Sequence, residues 1–222
     1  KIRGTEDFFE RINLLKTLEE FFPNKERYIN ELQRLIPVDP SVLIEYVNDG
    51  PNYTRPKSPD ITYDFLENLD EATIVLGQLN FVKRTSFIIK REARGVLFQH
   101  PDSQLVYFIN VPQNSYLDFS IALDSAVWEP GKGDGVEFIV SITKNAQQFR
   151  IFDQYIDPKN INADKNWFDF KLDLSTYSGE HVKLVFETKS GPNHNNRFDW
   201  AGWGEPLLKI EVKNDLREVD DG

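Results

Sequence analysis

The chain has 222 residues, 40% of them hydrophobic, which suits one large domain or two small ones. Its formal net charge of −10 disfavours nucleic acid as a partner, because phosphate-backbone affinity comes from clustered Lys and Arg. There is no Cys, which excludes disulfides, thiolate catalysis and Cys-based metal centres. No run approaches the ~18 apolar residues of a membrane span, and no charged-then-apolar export signal opens the chain. The chain as it stands therefore reads as soluble. Because it starts at Lys1 and contains no Met, it reads as a mature or trimmed product whose leader or anchor lies upstream.

The first fifty residues show helical periodicity. "TEDFFERINLLKTLEEFF" offers Thr5 as an N-cap and an apolar stripe at Phe8, Ile12, Leu15 and Phe22. Pro23 stops it, and a second stripe follows from Asn24 through Tyr28, Ile29, Leu32, Leu35 and Ile36. Asp39-Pro40 opens a third, short helix that Gly50 can close. "GPNYTRPKSPD", residues 50–60, carries three prolines and reads as a connector. Ser58 and Pro59 can then start one more helix through "DITYDFLENLDEA", with Ile61, Phe65 and Leu69 on one side. These helices are too few to bury their own stripes, so they are expected to dock on the rest of the chain or on a partner.

From about residue 79 to 213 the period changes to two. "QLVYFINV", "YLDFSIAL", "VEFIVSI", "FRIFDQYI", "WFDFKLDL" and "VKLVFET" read as strands, separated by turn chemistry such as Gly131-Lys-Gly-Asp-Gly135 and Asp157-Pro-Lys-Asn. In "WFDFKLDL" Phe168, Phe170, Leu172 and Leu174 share the core side, opposite Trp167, Asp169, Lys171 and Asp173. The basic run Lys83, Arg84, Lys90, Arg91 and Arg94 is interleaved with Phe87, Ile88 and Ile89, the pattern of a strand's wet side. Seven or more strands without helical interludes predict an antiparallel sandwich or barrel.

Motifs for chemistry are sparse. His100, His181 and His194 are not at metal-binding spacing. His100, Asp102 and Ser103 supply the residue types of a triad, but adjacent loop residues rarely align as base, orienter and nucleophile, and no Gly-x-Ser-x-Gly elbow surrounds Ser103. Asp134 between two glycines reads as a tight-turn residue; the alternative is a structural calcium using Asp124, Asp134 and Asp199, although no D-x-D-x-D-G loop is present. No other cofactor is expected. "NYT" at Asn52 fits a glycosylation sequon.

"RFDWAGWGEP", residues 197–206, is the densest aromatic motif. In a straight strand Trp200 and Trp203 point to opposite faces, Asp199 shares a face with Trp203, and Gly202 is a candidate bulge. Two readings stand: both indoles fill the core, or one is a ligand platform beside the polar loop Asn193, His194, Asn195, Asn196 and Arg197, whose donors suit sugar hydroxyls.

"ARGVLFQHPDSQLVYFINVPQNSYLDFSIALDSAVW", "GDGVEFIVSI", "WFDFKLDLSTYSGEHVKLVFET" and "FDWAGWGEPLLKI" together resemble the galactose-binding-like jelly rolls. The likeness is strongest to the novel putative carbohydrate-binding modules of bacterial glycosidases, and it extends to exported domains of bacterial membrane proteins, some akin to glycosyltransferases. It rests on Gly95, His100 and Ser103, on the Asp134-Gly135 turn and on Asp199-Trp200-Ala201; "WAGWGEP" lacks the acidic residue those modules carry soon after Trp-Ala. The resemblance implies a jelly-roll β-sandwich at 79–213, after a helical segment at 1–78 and before an acidic tail at 214–222. It also implies a non-catalytic binding module outside the cytoplasm; for glycan recognition the candidate contacts are the aromatics Trp128, Trp167 and Trp200 with the polar groups His194, Arg197 and Asp199. The alternative is an assembly subunit, with a protein partner or a membrane-anchored parent complex.

Overall fold

A computed structural model describes residues 58–77 and 81–211. The helices expected between residues 5 and 50, the Asn52 sequon, most of the Pro-rich connector and the acidic tail lie outside the described residues.

The described residues form eleven strands: β1 (Ile61–Asp64), β2 (Thr73–Leu76), β3 (Val82–Ile89), β4 (Glu92–Gln99), β5 (Ser103–Asn110), β6 (Ser115–Leu123), β7 (Val136–Lys144), β8 (Gln147–Ile156), β9 (Phe168–Asp173), β10 (His181–Ser190) and β11 (Ala201–Ile210). One sheet has the order β3-β4-β11-β6-β9, with β1 also paired to β11; the other has the order β2-β5-β10-β7-β8. Every pairing is antiparallel. The protein is thus an antiparallel β-sandwich, as the two-residue period requires of strands that give one face to a shared core.

Inward residues alternate along each strand and meet between the sheets. Leu105, Tyr107 and Ile109 on β5, Val182, Leu184 and Phe186 on β10, and Phe138, Val140 and Ile142 on β7 face Leu117, Phe119 and Ile121 on β6 and Trp203 on β11. Trp203 is fully buried, with ring centroids 5.0 Å from Phe138 and from Phe186 and 5.5 Å from Phe119. Its indole N–H donates to Gln99 Oε1 at 2.8 Å, and the Gln99 amide donates in turn to the carbonyls of Ser103 and Phe186, both at 3.0 Å. A buried polar group costs stability unless paired, and here the donors of both side chains are used.

Outside the six-stranded sheet lies a smaller apolar layer of Phe87, Ile89, Val96, Phe98, Ala122 and Trp167. It is possible because β11 carries glycine there. A Cβ at Gly202 would stand 2.4 Å from both Phe87 and Val96, and one at Gly204 would stand 2.9 Å from the Trp167 ring. The irregularity expected at Gly202 falls instead between Gly204 and Leu207, where Glu205 takes a positive φ of 47°.

The helix expected from Ser58 does not form. Ile61–Asp64 is β1, paired with Leu207–Lys209 of β11, and between β1 and β2 only a 3-10 turn at Leu69–Glu71 is helical. The Ile61, Phe65, Leu69 spacing mimics a helix, but Asp64 Oδ1 accepts the amides of Leu66 and Glu67 at 2.9 and 3.0 Å and breaks the run into a turn. Ladder pairing to β11 then outweighs local propensity. The sandwich consequently includes residues 61–76 and does not begin at 79.

Phe65 follows from this correction: it is fully buried, in edge contact with Tyr107 and Phe186 at 5.0 and 5.1 Å, and its carbonyl accepts the Tyr107 hydroxyl at 2.9 Å. Phe65→Ala should lower unfolding free energy by about 3–5 kcal/mol in urea titration, the range for a large aromatic lost from a packed core. A helix lying on the surface would lose far less.

Candidate functional site

The alternation that fills the core also sets a row of polar side chains on the outside of the five-stranded sheet. Tyr155 on β8 stands opposite Glu137 on β7, which stands opposite Lys189 on β10. Glu187 is the next outward position on β10. Together with Leu76, Asp102, Ser190, Gly191, Pro192 and His194 they line an open pocket of about 690 Å³.

Most of these groups are held. Glu187 accepts from Gln104 at 2.9 Å and lies 3.4 Å from the Lys189 ammonium. Glu137 pairs with Arg150 at 3.3 Å, and Asp102 accepts the Ser190 amide at 2.7 Å and its hydroxyl at 3.2 Å. Tyr155 is 36% exposed, so its ring is available, while its hydroxyl donates to the Asp134 carbonyl at 2.5 Å. Burial first, then the carboxylates of Asp157, Asp134 and Asp199, push that hydroxyl up to about 12. An aromatic face beside fixed carboxylate acceptors and an ammonium donor is chemically suited to a sugar, whose C–H face and vicinal hydroxyls need those two surfaces.

Behind the pocket is a buried electrostatic frame. Lys159 and Asp199 form an ion pair with neither side chain exposed, and Asp134 and Asp157 are also buried. Asp134 Oδ2 accepts the Asn193 amide at 2.5 Å, and Asp157 accepts the Asn160 side chain at 2.7 Å. The frame therefore ties the 131–135 turn, the loop after β8 and the loop before β11 to one another. Close approach explains the glycines. A Cβ at Gly133 would fall 2.3 Å from Asp199 Oδ1 and 2.5 Å from both Lys159 Nζ and the Arg197 carbonyl, and one at Gly191 would fall 2.1 Å from the Asp134 carbonyl. Among the described residues Asp134 Oδ1 and Asp199 Oδ2 have no hydrogen-bond partner. Burial is the main cause that lifts the Asp199 carboxyl to about 6; Lys159 pulls it down and Asp134 pushes it up.

The six residues expected to contact glycan are not brought together. His194 lines the pocket, on a backbone at φ 53°, with Arg197 exposed in the same loop. Asp199 is fully buried against Lys159 and cannot reach solvent. Trp167 is 6% exposed, lies beneath the Arg94 guanidinium at 4.9 Å and stacks on Phe87 at 6.3 Å. Trp128 is half-buried and donates to the Leu123 carbonyl at 2.9 Å, and Trp200 packs half-buried against the outer layer of the six-stranded sheet. Those three indoles serve packing on the other sheet, where Gly204 lets Trp167 close on the β11 backbone. Trp203 is core, and with the strand starting at Ala201, Asp199 belongs to the loop.

The calcium expectation does not fit these residues. Asp124 caps the Ala126 amide at 3.0 Å, Asp134 accepts the Asn193 amide, and Asp199 is paired with the Lys159 ammonium. Among the described residues no group of three or more His, Asp or Glu is disposed to hold a metal. The triad types also diverge: His100 Nδ1 is 2.6 Å from the Pro101 carbonyl, Asp102 binds Ser190, and the buried Ser103 hydroxyl is 3.3 Å from that of Thr188. A second hollow of about 640 Å³ on the six-stranded sheet has its cations matched within its own walls, Arg94 to Asp169 and Glu92, Lys209 to Asp118.

No family model matches the chain. A protein of Archaeoglobus fulgidus, described as uncharacterized, is 46% identical over 127 residues, 54% of this chain and 32% of that protein. The chain thus spans about a third of that relative's length. Among solved structures, a two-domain fragment of Clostridium perfringens ZmpB comprising CBM51-2 and INT aligns with TM-score 0.44 at 16% identity, over 63% of this chain and 29% of that one. The CBM51 of a C. perfringens GH95 enzyme, solved with methyl-galactose, gives 0.43 at 15%, over 62% and 92%. TmCBM61 with β-1,4-galactotriose gives 0.44 at 11%, over 69% and 100%. These likenesses concern the chain trace of a β-sandwich alone.

Breaking a buried ion pair strands its partner, so Lys159→Met and Asp199→Asn should each cost about 3–5 kcal/mol, and Lys159→Met with Asp199→Leu less than their sum, by urea denaturation. A pH dependence follows as well. The folded Asp199 holds its proton more tightly than an unfolded Asp near pH 3.9, so its contribution is full below about pH 4 and lost as pH rises through about 6. Thermal unfolding of the wild type between pH 4 and 6 should show this decline, and Asp199→Asn should flatten it.

Proposed function

We propose that the chain is a non-catalytic carbohydrate-binding module acting outside the cytoplasm, and that the sugar sits in the pocket over Tyr155. One observation carries the reading: the exposed Tyr155 ring, Glu137 and Lys189 form a single row across three adjacent strands, with Glu187 and Asp102 beside it. A pyranose laid on the ring brings its hydroxyls to carboxylate oxygens that the scaffold has already fixed, which limits the ordering cost of binding.

Two carboxylates of the pocket, Glu137 and Glu187, each lie against a cation, Arg150 and Lys189. That arrangement suits holding a hydroxyl more than delivering a proton to a leaving group. Three carboxylates against one pocket lysine also favour a neutral glycan over an acidic one.

Calorimetric titration with neutral galacto-, gluco- and xylo-oligosaccharides tests the proposal. Binding without hydrolysis is expected, weakened about tenfold or more by Tyr155→Ala, which is ~1.4 kcal/mol. Trp200→Ala, on the opposite sheet, should bind as the wild type does. Absence of binding across a broad glycan array by folded protein, or binding lost with Trp200 and kept without Tyr155, would overturn the reading.

A further inference from the structure

The outer face of the five-stranded sheet also carries a diagonal row of apolar positions. On β5, β10 and β7 the outward positions include Val106, Val185 and Ile139. Val185 stands opposite Val106 on one side and Ser141 on the other, and Ile139 stands opposite Glu187, the next outward position. Their chain neighbours Leu105, Tyr107, Leu184, Phe186, Phe138 and Val140 fill the inter-sheet core, so these three point away from it. An aliphatic side chain on a bare sheet face keeps part of its surface in water. Val106, Val185 and Ile139 are only 2%, 3% and 1% exposed, and neither of the two described apolar clusters contains them. Farther along the same face, Phe108, stacked on His181, is 62% exposed. The burial is local to the row.

We propose that this row is a docking surface and that its occupant is the chain's own N-terminal segment, residues 8–47. That segment carries apolar stripes at helical spacing, among them Ile12, Leu15, Leu32 and Leu35, and is too short to bury them within itself. It can reach. The described chain begins at Ser58, beside the six-stranded sheet, and the ten residues 48–57 span up to about 33 Å, against a sheet separation of ~10 Å. A tethered segment also meets the face at millimolar effective concentration, which favours it over a second copy in dilute solution. The docked stripe adds a third layer to the sandwich, alongside the pocket at the end of the same face. This inference is independent of what the pocket binds.

The absence of cysteine makes a single introduced thiol a unique probe. In the full chain, Val185→Cys should react with a thiol reagent about tenfold more slowly than Phe108→Cys, since labelling there waits on local opening. Adding Leu15→Asp and Leu32→Asp should bring the Val185→Cys rate to within about twofold of the exposed site. Equal rates at the outset, or protection that survives the aspartates, would overturn the proposal; protection that grows with protein concentration would do so by assigning the face to a second copy. Should the aspartate variant fail to fold, a photo-crosslinking residue at position 106 of the otherwise unaltered chain decides the matter. Adducts within residues 8–47 of the same molecule support the docking, and adducts confined elsewhere refute it.

Discussion

A strand in a two-layer sandwich has one face to give to the shared core, and strict alternation commits the other face outward. In this protein the inward rows converge on Trp203 and Phe186. The outward rows then determine everything else: on the six-stranded sheet they close a small apolar layer around Trp167, and on the five-stranded sheet they display Tyr155, Glu137 and Lys189 beside the buried Val106, Val185 and Ile139. A one-residue slip of β10 would exchange Phe186 with Glu187 and dismantle core and pocket together. Core packing therefore fixes the geometry of the site.

The loops at the pocket end are fixed by a different force. Asp134, Asp157 and Asp199 are buried with only Lys159 among them as a cation, and such a cluster is costly to desolvate. Its return is positional. The lysine and the backbone amides it competes with draw three loops inward until only glycine fits at positions 133 and 191. Asp134, held in this way, presents its carbonyl to the Tyr155 hydroxyl, which orients the ring. Burial, opposed by Lys159 and helped by Asp134, holds the Asp199 carboxyl above its ordinary range.

How much of this is legible in the sequence depends on range. The six strands read from residue 104 onward coincide with β5 to β10 to within two residues at most ends, because alternation and turn chemistry are local. Trp200 and Trp203 do diverge, but Trp200 lies in the loop before β11, so strand alternation is not the reason. β1 was hidden because its apolar spacing imitates a helix until the pairing with β11 is known. The site was less legible still. Tyr155 and Lys189 stand in unrelated stretches and meet only through strand register, and Lys159 sits inside Asp-Pro-Lys-Asn, a turn by composition, with nothing nearby to announce its burial. Tryptophan density pointed to the six-stranded sheet, where Gly202 and Gly204 make room for the Phe87 and Trp167 rings.

Charge sets the remaining limits on what the outer face can accept. The chain's net charge of −10 repels polyanions at range, and the pocket repeats that sign locally through Asp102, Glu137 and Glu187. Lys189 reduces the local excess without reversing it, and it is engaged by Glu187. For the proposed ligand this sets a rule of rejection as much as of attraction: a carboxylate or sulfate would be desolvated against like charge, whereas a neutral hydroxyl can donate a hydrogen bond to the same oxygens. The apolar row beside the pocket draws on the hydrophobic effect, which salt barely screens, so the polar and apolar parts of one sheet face respond to different solution conditions.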